Sequence, residues 1–133
     1  QPRAGRQLPS RRAEAEVEAV DAPEDALARA AAPPDPEVVK ARLELEIVVD
    51  RLAEHEYIVG RFYQRYGVPG AAALRIEGLL KDYPSYSGKD AALYYLALAY
   101  GDLARPEDAQ AAFARLREEH PESRFTRKIP GQG

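Results

Sequence analysis

The sequence predicts an all-α fold of stacked helical hairpins, a short α-solenoid of two repeats with an extended first helix. Residues 52–84 have the pattern of a helical hairpin, since two amphipathic segments flank a Gly-Val-Pro-Gly turn and a Tyr-Pro pair follows the second. Residues 90–121 repeat this pattern at an offset of 37 residues. The helix that leads into the first hairpin has more apolar positions than one hairpin can bury, which is typical of stacked repeats.

Composition limits the classes of function. The 133 residues fit one domain with or without a tail, and the formal net charge of −3 mixes both signs, so no strong field favours nucleic acid or a membrane. Without cysteine there is no disulfide, thiol nucleophile or thiolate metal site. No apolar run reaches the roughly 18 residues of a membrane-spanning helix. Because the first residue is Gln1, we expect a processed product.

Residues 1–35 are expected to be a flexible or extended N-terminal arm. Four arginines precede an acidic stretch, and prolines divide the segment into short pieces. Residues 11–20 and 24–32 could each form a short helix, but such helices are marginal unless something packs on them. The basic cluster could contact anionic lipid, although a solvated tail is the simpler interpretation.

A long helix is predicted from residue 36 to residue 66. Asp35 is a suitable N-cap, Pro36 fits the first helical position, and Glu37 complements the helix dipole. Gly60 is the one weak position, at a cost of about 1 kcal/mol relative to Ala. Two apolar stripes follow its first half: Val38, Ala41, Leu45, Val48 and Leu52, and Val39, Leu43 and Ile47. A helix this apolar requires cover on more than one side.

The two hairpins share their register in detail. Equivalent positions hold small residues, rings, apolar residues and closing prolines: Gly60 and Ala97, Tyr63 and Tyr100, Ala72 and Ala109, Ile76 and Phe113, Leu79 and Leu116, Pro84 and Pro121. This arrangement resembles the 34-residue tetratricopeptide repeat, with the extra residues placed in the loop 85–89, where insertions are tolerated. The sequence therefore predicts tetratricopeptide-like repeats over a domain of residues 36–122.

The ends of the array are expected to differ. Ala73 and Leu80 of the first hairpin correspond to Gln110 and Arg117 of the second, so the array should end after residue 121, with residues 123–133 a frayed basic tail. At the other end the long helix stays open. Because two repeats are fewer than the roughly three needed for independent stability, we expect the arm, missing repeats, a second copy or a partner to pack there.

No constellation for chemistry is predicted. His55-Glu56 begins like a zinc-protease motif, but Val59 stands where its second histidine belongs. The Ser-Gly-Lys string before Asp90 lacks the first glycine and the Ser/Thr of a phosphate loop. His120 is better suited to cap the last carbonyls of a helix than to act as a base. We expect no enzyme, no catalytic residue, no cofactor and no metal.

Recognition of another protein is the class of function that remains. In stacked hairpins the first helix of each unit lines the concave face, which should present Glu54, Tyr57, Arg61, Gln64 and Arg65 from one unit and Ala91, Tyr94 and Leu98 from the other. Tyr and Arg dominate the energetics of protein interfaces. The alternative is that the tyrosines are half-buried packing residues.

Residues 51–84 and the string DAALYYLALAY resemble the C-terminal repeats of the BamD (YfiO) family, over about residues 40–123. The matching motifs are Arg51-Leu52-Ala53, His55-Glu56-Tyr57, the Phe62-Tyr63 pair, Ala71-Ala72, the segment 75–80 and Asp82-Tyr83-Pro84. The resemblance implies an outer-membrane lipoprotein on the periplasmic face, in the β-barrel assembly machinery (the BAM complex), docked on a POTRA domain of BamA. It also implies that Tyr57, Arg61 and Arg75 are docking residues.

The departures from the family pattern also matter. Members usually have five repeats and a lipidated N-terminal cysteine, whereas this chain has two repeats and no cysteine. We therefore expect either the C-terminal part of a longer chain or a shortened relative with its anchor removed. In both cases the substrate pocket of the missing N-terminal repeats should be absent, and membrane contact should occur only through a lost N-terminal lipid anchor, if there is one. The expected function is a non-enzymatic scaffold subunit of the assembly machinery, and the alternative is a free-standing repeat adaptor in another envelope complex.

Overall fold

The computed structural model describes residues 23–131, in which all regular structure is helical. The helices are α1 (Pro23–Ala31), α2 (Pro36–Arg65), α3 (Pro69–Asp82), α4 (Lys89–Asp102) and α5 (Pro106–Glu119), followed by a 3-10 helix (Thr126–Lys128). The predicted all-α class is confirmed. The Cα positions divide the chain into two compact units, residues 1–40 and 41–133, with the boundary inside α2.

The described part of the first unit contains α1 and the first residues of α2. Glu24 and Asp25 lie in the first turn of α1, where they complement the helix dipole, and Leu27 is exposed. The predicted N-cap is confirmed, since the Glu37 amide donates to Asp35 Oδ1 at 2.9 Å. A short helix thus forms where one was considered over 24–32, while the possible helix 11–20 and the rest of the arm up to residue 22 lie outside the described residues.

In the second unit the two hairpins turn in the same way. Gly67 has a φ of 74° and the equivalent Ala104 a φ of 57°. The next residue closes both turns, because the Val68 amide donates to the Tyr63 carbonyl and the Arg105 amide to the Tyr100 carbonyl, each at 2.9 Å. The predicted register is therefore present in the backbone as well as in the side chains. Alanine adopts the left-handed conformation at a cost of about 1–2 kcal/mol, which glycine does not incur.

The core lies between the hairpins. It contains small or apolar residues from each of α2, α3, α4 and α5, with fully buried Ala53, Ile76, Leu79, Leu93 and Leu116 among its members. The equivalent pairs predicted from the sequence, Ala72 with Ala109 and Leu79 with Leu116, are all buried. The Tyr100 hydroxyl donates to Glu77 Oε2 at 2.5 Å, and burial together with this bond raises the pKa of Tyr100.

Residues 123–131 differ from the predicted frayed tail. Phe125, Thr126 and Ile129 are buried, and the Phe125 ring lies 5.6 Å from that of Tyr94. Polar bonds fix the same segment: Ser123 Oγ donates to Asp90 Oδ2 at 2.6 Å, and Thr126 Oγ1 to the His120 carbonyl at 2.5 Å. The segment folds back because the second hairpin still has apolar surface to bury, so the repeats end in a cap. Residues 132 and 133 lie outside the described residues.

We expect Phe125→Leu to lower the free energy of unfolding by about 1 kcal/mol. Leucine keeps most of the apolar contact but loses the ring contacts with Tyr94 and Tyr95, whose centroids lie 5.6 and 5.9 Å away. Urea denaturation followed by circular dichroism measures the change. Arg127→Ala, an exposed substitution in the same segment, is the control, and equal stabilities of both variants and the parent would show that the ring contacts of Phe125 contribute nothing.

The Asp50 carboxylate attaches the loop between the hairpins to α2. Asp50 Oδ1 accepts from the Ser87 amide at 2.8 Å, and Asp50 Oδ2 accepts from Ser87 Oγ at 2.7 Å. These two hydrogen bonds favour the ionised carboxyl, so they lower the pKa of Asp50 from its ordinary 3.8. The inserted residues of the longer repeat are thus held in place by a side chain from the long helix.

This pKa shift predicts a dependence of stability on pH. A carboxyl whose pKa is lowered by folding stabilises the protein above its unfolded pKa, and the contribution disappears as the pH falls through the folded pKa. Asp50→Ala should cost about 0.5–1 kcal/mol at pH 7, a small value because the carboxyl is exposed. The difference from the parent should shrink below pH 4. Glu119, whose pKa is lowered by Lys89 and Arg115, titrates in both proteins and cancels; a difference that is constant from pH 7 to pH 3 would contradict the assignment.

Candidate protein-binding surface

Three of the predicted binding residues, Tyr57, Arg61 and Gln64, contact α4 through Tyr95, which neighbours the fourth, Tyr94. Tyr57, Arg61 and Gln64 recur at helical spacing on one face of α2, and Tyr94 lies on α4. The Arg61 guanidinium stacks over the ring of Tyr95, 3.6 Å from its centroid, and Arg61 Nη1 donates to Gln64 Oε1 at 3.1 Å. Gln64 Nε2 in turn donates to the Tyr95 carbonyl at 3.3 Å. The charged and amide groups of α2 are therefore held in one orientation against α4.

Aromatic side chains continue this contact in both directions. We define the aromatic row as Tyr86, Tyr57, Tyr95 and Phe125, whose successive ring centroids lie 6.2, 6.4 and 5.9 Å apart. Tyr94 joins its side, 5.1 Å from Tyr95. Tyr86 and Phe125 are buried, whereas Tyr57, Tyr94 and Tyr95 are half-buried. The half-buried rings thus pack against buried rings and remain partly accessible to solvent, so the packing interpretation applies and a binding role of these tyrosines stays a prediction.

Burial favours the neutral form of Tyr57 and Tyr86. Burial raises the pKa of Tyr57, an effect that the charge of Arg61 partly offsets. Burial also raises the pKa of Tyr86, as does the Glu54 carboxylate that accepts its hydroxyl hydrogen bond. Neutral phenols beside a fixed guanidinium suit hydrogen bonding and cation–π contact with another protein. They do not provide a proton-transfer group for neutral pH.

Two further cations lie at the C-terminal end of the row. Arg124 Cζ and Lys128 Nζ lie 5.0 and 5.1 Å from the centroid of the Phe125 ring. Together with Arg61 they form a cluster of three cations over the rings of Tyr95 and Phe125, whereas the Glu54 carboxylate lies at the other end of the row beside Tyr86. An acidic partner surface would complement the three cations.

The other predicted residues lie in different settings. Arg65 is exposed at the end of α2, Leu98 is half-buried against the core, and Ala91 is buried. Arg75 lies on α3, where its Nη1 forms an ion pair with Glu56 Oε2 at 3.1 Å. Arg75 is therefore in a contact between α2 and α3 rather than in the aromatic row.

Sequence reasoning missed Tyr86, Tyr95 and Phe125. The alignment of the repeats selects Tyr94 because Tyr57 is its equivalent, and the neighbouring Tyr95 corresponds to Ile58. Tyr86 and Phe125 stand in a loop and in the predicted tail, where no helical period marks a ring as part of a surface. The Tyr94-Tyr95 pair was the one available signal. Adjacent side chains on a helix point in different directions, so Tyr95 can contact an element that Tyr94 does not reach.

Two features of residues 23–131 bear on metal binding and on membrane insertion. No group of three or more His, Asp or Glu side chains lies close enough together to hold a metal ion in this part of the chain. In the same residues, no helix combines the length and the apolar character needed to cross a membrane.

Comparison with known proteins gives a consistent set of matches. A family model described as "YfiO: Outer membrane lipoprotein" matches residues 37–116, more than half of the chain. A protein of Aquifex aeolicus (strain VF5) named as outer membrane protein assembly factor BamD is 39% identical over 44 residues. That match covers 33% of this chain and 14% of the relative, so it spans about a seventh of the relative's length. No solved structure matches the chain.

Proposed function

The chain belongs to the YfiO family of outer membrane lipoproteins, and we propose from this premise that it is a non-enzymatic, protein-binding subunit of the β-barrel assembly machinery. Its partner in this proposal is the POTRA region of the BamA barrel subunit, on the periplasmic face of the outer membrane. The contact is made by the half-buried edge of the aromatic row with Arg61 and Gln64.

The fixed position of Arg61 supports this proposal most strongly. Its guanidinium is stacked on Tyr95 and bonded to Gln64, so little side-chain entropy remains to be lost when a partner binds. An arginine and several tyrosines that are ordered before binding form the type of cluster that supplies most of the energy in protein interfaces. The neighbouring Arg124 and Lys128 would draw in an acidic patch.

The direct test measures binding between the chain and a purified POTRA region of the same organism by biolayer interferometry. Because cations flank the row, we expect affinity to fall as salt rises from 50 to 300 mM. A folded periplasmic protein with the same net charge as the POTRA region serves as the control for non-specific electrostatic attraction. Absence of binding at low salt would overturn the docking proposal.

A second candidate is a repeat adaptor in another envelope complex. The curated match covers only 14% of the relative, and hairpin repeats of this kind bind many different partners. Capture of an envelope protein by the parent chain but not by Arg61→Ala, together with no binding to the POTRA region, would favour this candidate.

A further inference from the structure

The long helix α2 presents a mainly apolar seam that is exposed except at the half-buried Val59. The seam residues alternate in steps of three and four: Ala41, Leu45, Val48, Leu52, His55, Val59, Phe62 and Tyr66. This spacing is that of a two-helix coiled coil. Leu45, Phe62 and Tyr66 are 61, 52 and 71% exposed, far more than large apolar side chains of a completed core. The predicted open side of α2 is confirmed.

The internal repeat indicates that a helix belongs on this seam. At the offset of 37 residues, His55, Val59 and Phe62 correspond to Ala92, Leu96 and Ala99. Those residues of α4 are 0, 5 and 0% exposed, within the core that α4 shares with its neighbours. The same helical positions are therefore covered in the second hairpin and uncovered in the first.

The described helix that precedes α2, α1, does not match the missing element. α3 and α5, the second helices of the hairpins, have 14 residues each, whereas α1 has nine. Its single large apolar side chain is Leu27. A nine-residue helix is about 13 Å long, against about 38 Å for the seam from residue 41 to residue 66.

We propose that the seam is a self-association surface on which a second copy of the chain pairs its α2 helix in antiparallel orientation. One register overlaps the whole seam. It sets Ala41 opposite Tyr66 of the other copy, Leu45 opposite Phe62, Val48 opposite Val59, and Leu52 opposite His55. The smallest seam residue, Ala41, then faces Tyr66, the two leucines face rings, and valine faces valine, so apolar contact continues along the whole pair.

Charges beside the seam fit the same register. Glu44 and Arg65 each precede a seam residue and are exposed. In the antiparallel pair Glu44 of each copy faces Arg65 of the other, so the symmetric dimer gains two ion pairs. A parallel pair would instead place Tyr66 against Tyr66 and Ala41 against Ala41.

The antiparallel arrangement also accounts for the second apolar face of α2. Leu43, Ile47 and Val49 are 55, 54 and 37% exposed in the half of the helix that extends beyond its own hairpin. Antiparallel pairing brings the hairpin of one copy beside this half of the other. A two-fold dimer thus covers both stripes, as an isologous interface does.

Sedimentation velocity of the full chain between 1 and 100 μM tests the proposal. We expect a dimer whose dissociation constant rises at least 100-fold in Leu45→Asp, because two carboxylates would be buried against Phe62. Leu27→Asp, which alters an equally exposed leucine of α1, should leave the constant within threefold of the parent. Glu44→Arg should weaken the dimer about tenfold, and Arg65→Glu in the same chain should restore it. A parent chain that is monomeric at 100 μM overturns the proposal.

The absence of cysteine allows the orientation to be tested separately. Chains with Leu45→Cys and with Phe62→Cys, mixed and oxidised gently, should form a disulfide between the two variants. Leu45→Cys alone should not link to itself, since the two positions lie 17 residues apart along the pair, about 26 Å. Efficient self-linking of Leu45→Cys, or no link in the mixture, would contradict the antiparallel register. Circular dichroism confirms that every variant retains its helices.

Discussion

Ile76→Ala is expected to lower the free energy of unfolding by about 3–4 kcal/mol. Ile76 is fully buried where α3 crosses α2, and removing its side chain leaves a cavity that the two helices cannot close without separating. Since small domains are stable by only about 5–15 kcal/mol, a large share of the stability would be lost. Urea denaturation with circular dichroism measures it.

The same crossing predicts the result of adding a methyl group. A Cβ at Gly60 would lie 2.8 Å from Ile76 Cγ1, so Gly60→Ala should destabilise the parent although alanine is the better helix former. In the Ile76→Ala background the new methyl group has room, and Gly60→Ala should stabilise by about 1 kcal/mol. Gly78→Ala on α3 is the matched control, because nothing lies within 4 Å of its Cβ, and it should stabilise either background. Equal effects of Gly60→Ala and Gly78→Ala in the parent would refute the close crossing.

Arg61→Ala is expected to weaken binding to the POTRA region about 30-fold, or about 2 kcal/mol. The loss combines the guanidinium itself with the order that it imposes on Gln64 and on the exposed edge of Tyr95. Tyr57→Ala should weaken binding at least tenfold, since Tyr57 joins Tyr86 to Tyr95. Affinities are measured by biolayer interferometry at one salt concentration.

Two control variants separate recognition from simple charge. Arg115→Ala removes an arginine that pairs with Glu119 on α5, and affinity should stay within threefold of the parent. Arg61→Lys keeps the charge but lacks the planar group that stacks on Tyr95, so it should recover less than half of the lost binding energy. If Arg61→Lys binds like the parent, the site is a general basic patch.

Local sequence signals account for most of the fold. The long helix was predicted over 36–66 and is found as Pro36–Arg65, because Asp35 and Pro36 begin it and Gly67 ends it. The shared register followed from residues that pack within each hairpin, such as Gly60 and Ala97. These features depend on near neighbours in the chain, so a repeated pattern reveals them.

Contacts between distant segments account for what was missed. The buried cap around Phe125 and Ile129 lies in a short segment with charged residues and a proline, where two apolar residues form no period. The pair of Tyr86 with Glu54 joins a loop to a helix 32 residues away. Arg61 of α2 contacts Tyr95 of α4, whereas Arg75 of α3 contacts Glu56 of α2. This difference depends on how α3 and α4 pack beside α2.

Hydrogen–deuterium exchange of the chain with and without the POTRA region tests the central claim most directly. If the aromatic row is the docking surface, amides of residues 57–65 and 91–98 should exchange more slowly in the complex, while residues 73–82 of α3 remain unchanged. The same experiment with Arg61→Ala should show this protection reduced at equal concentrations. Protection confined to residues 73–82, or no protection at residues 57–65, would contradict the assignment of the binding surface.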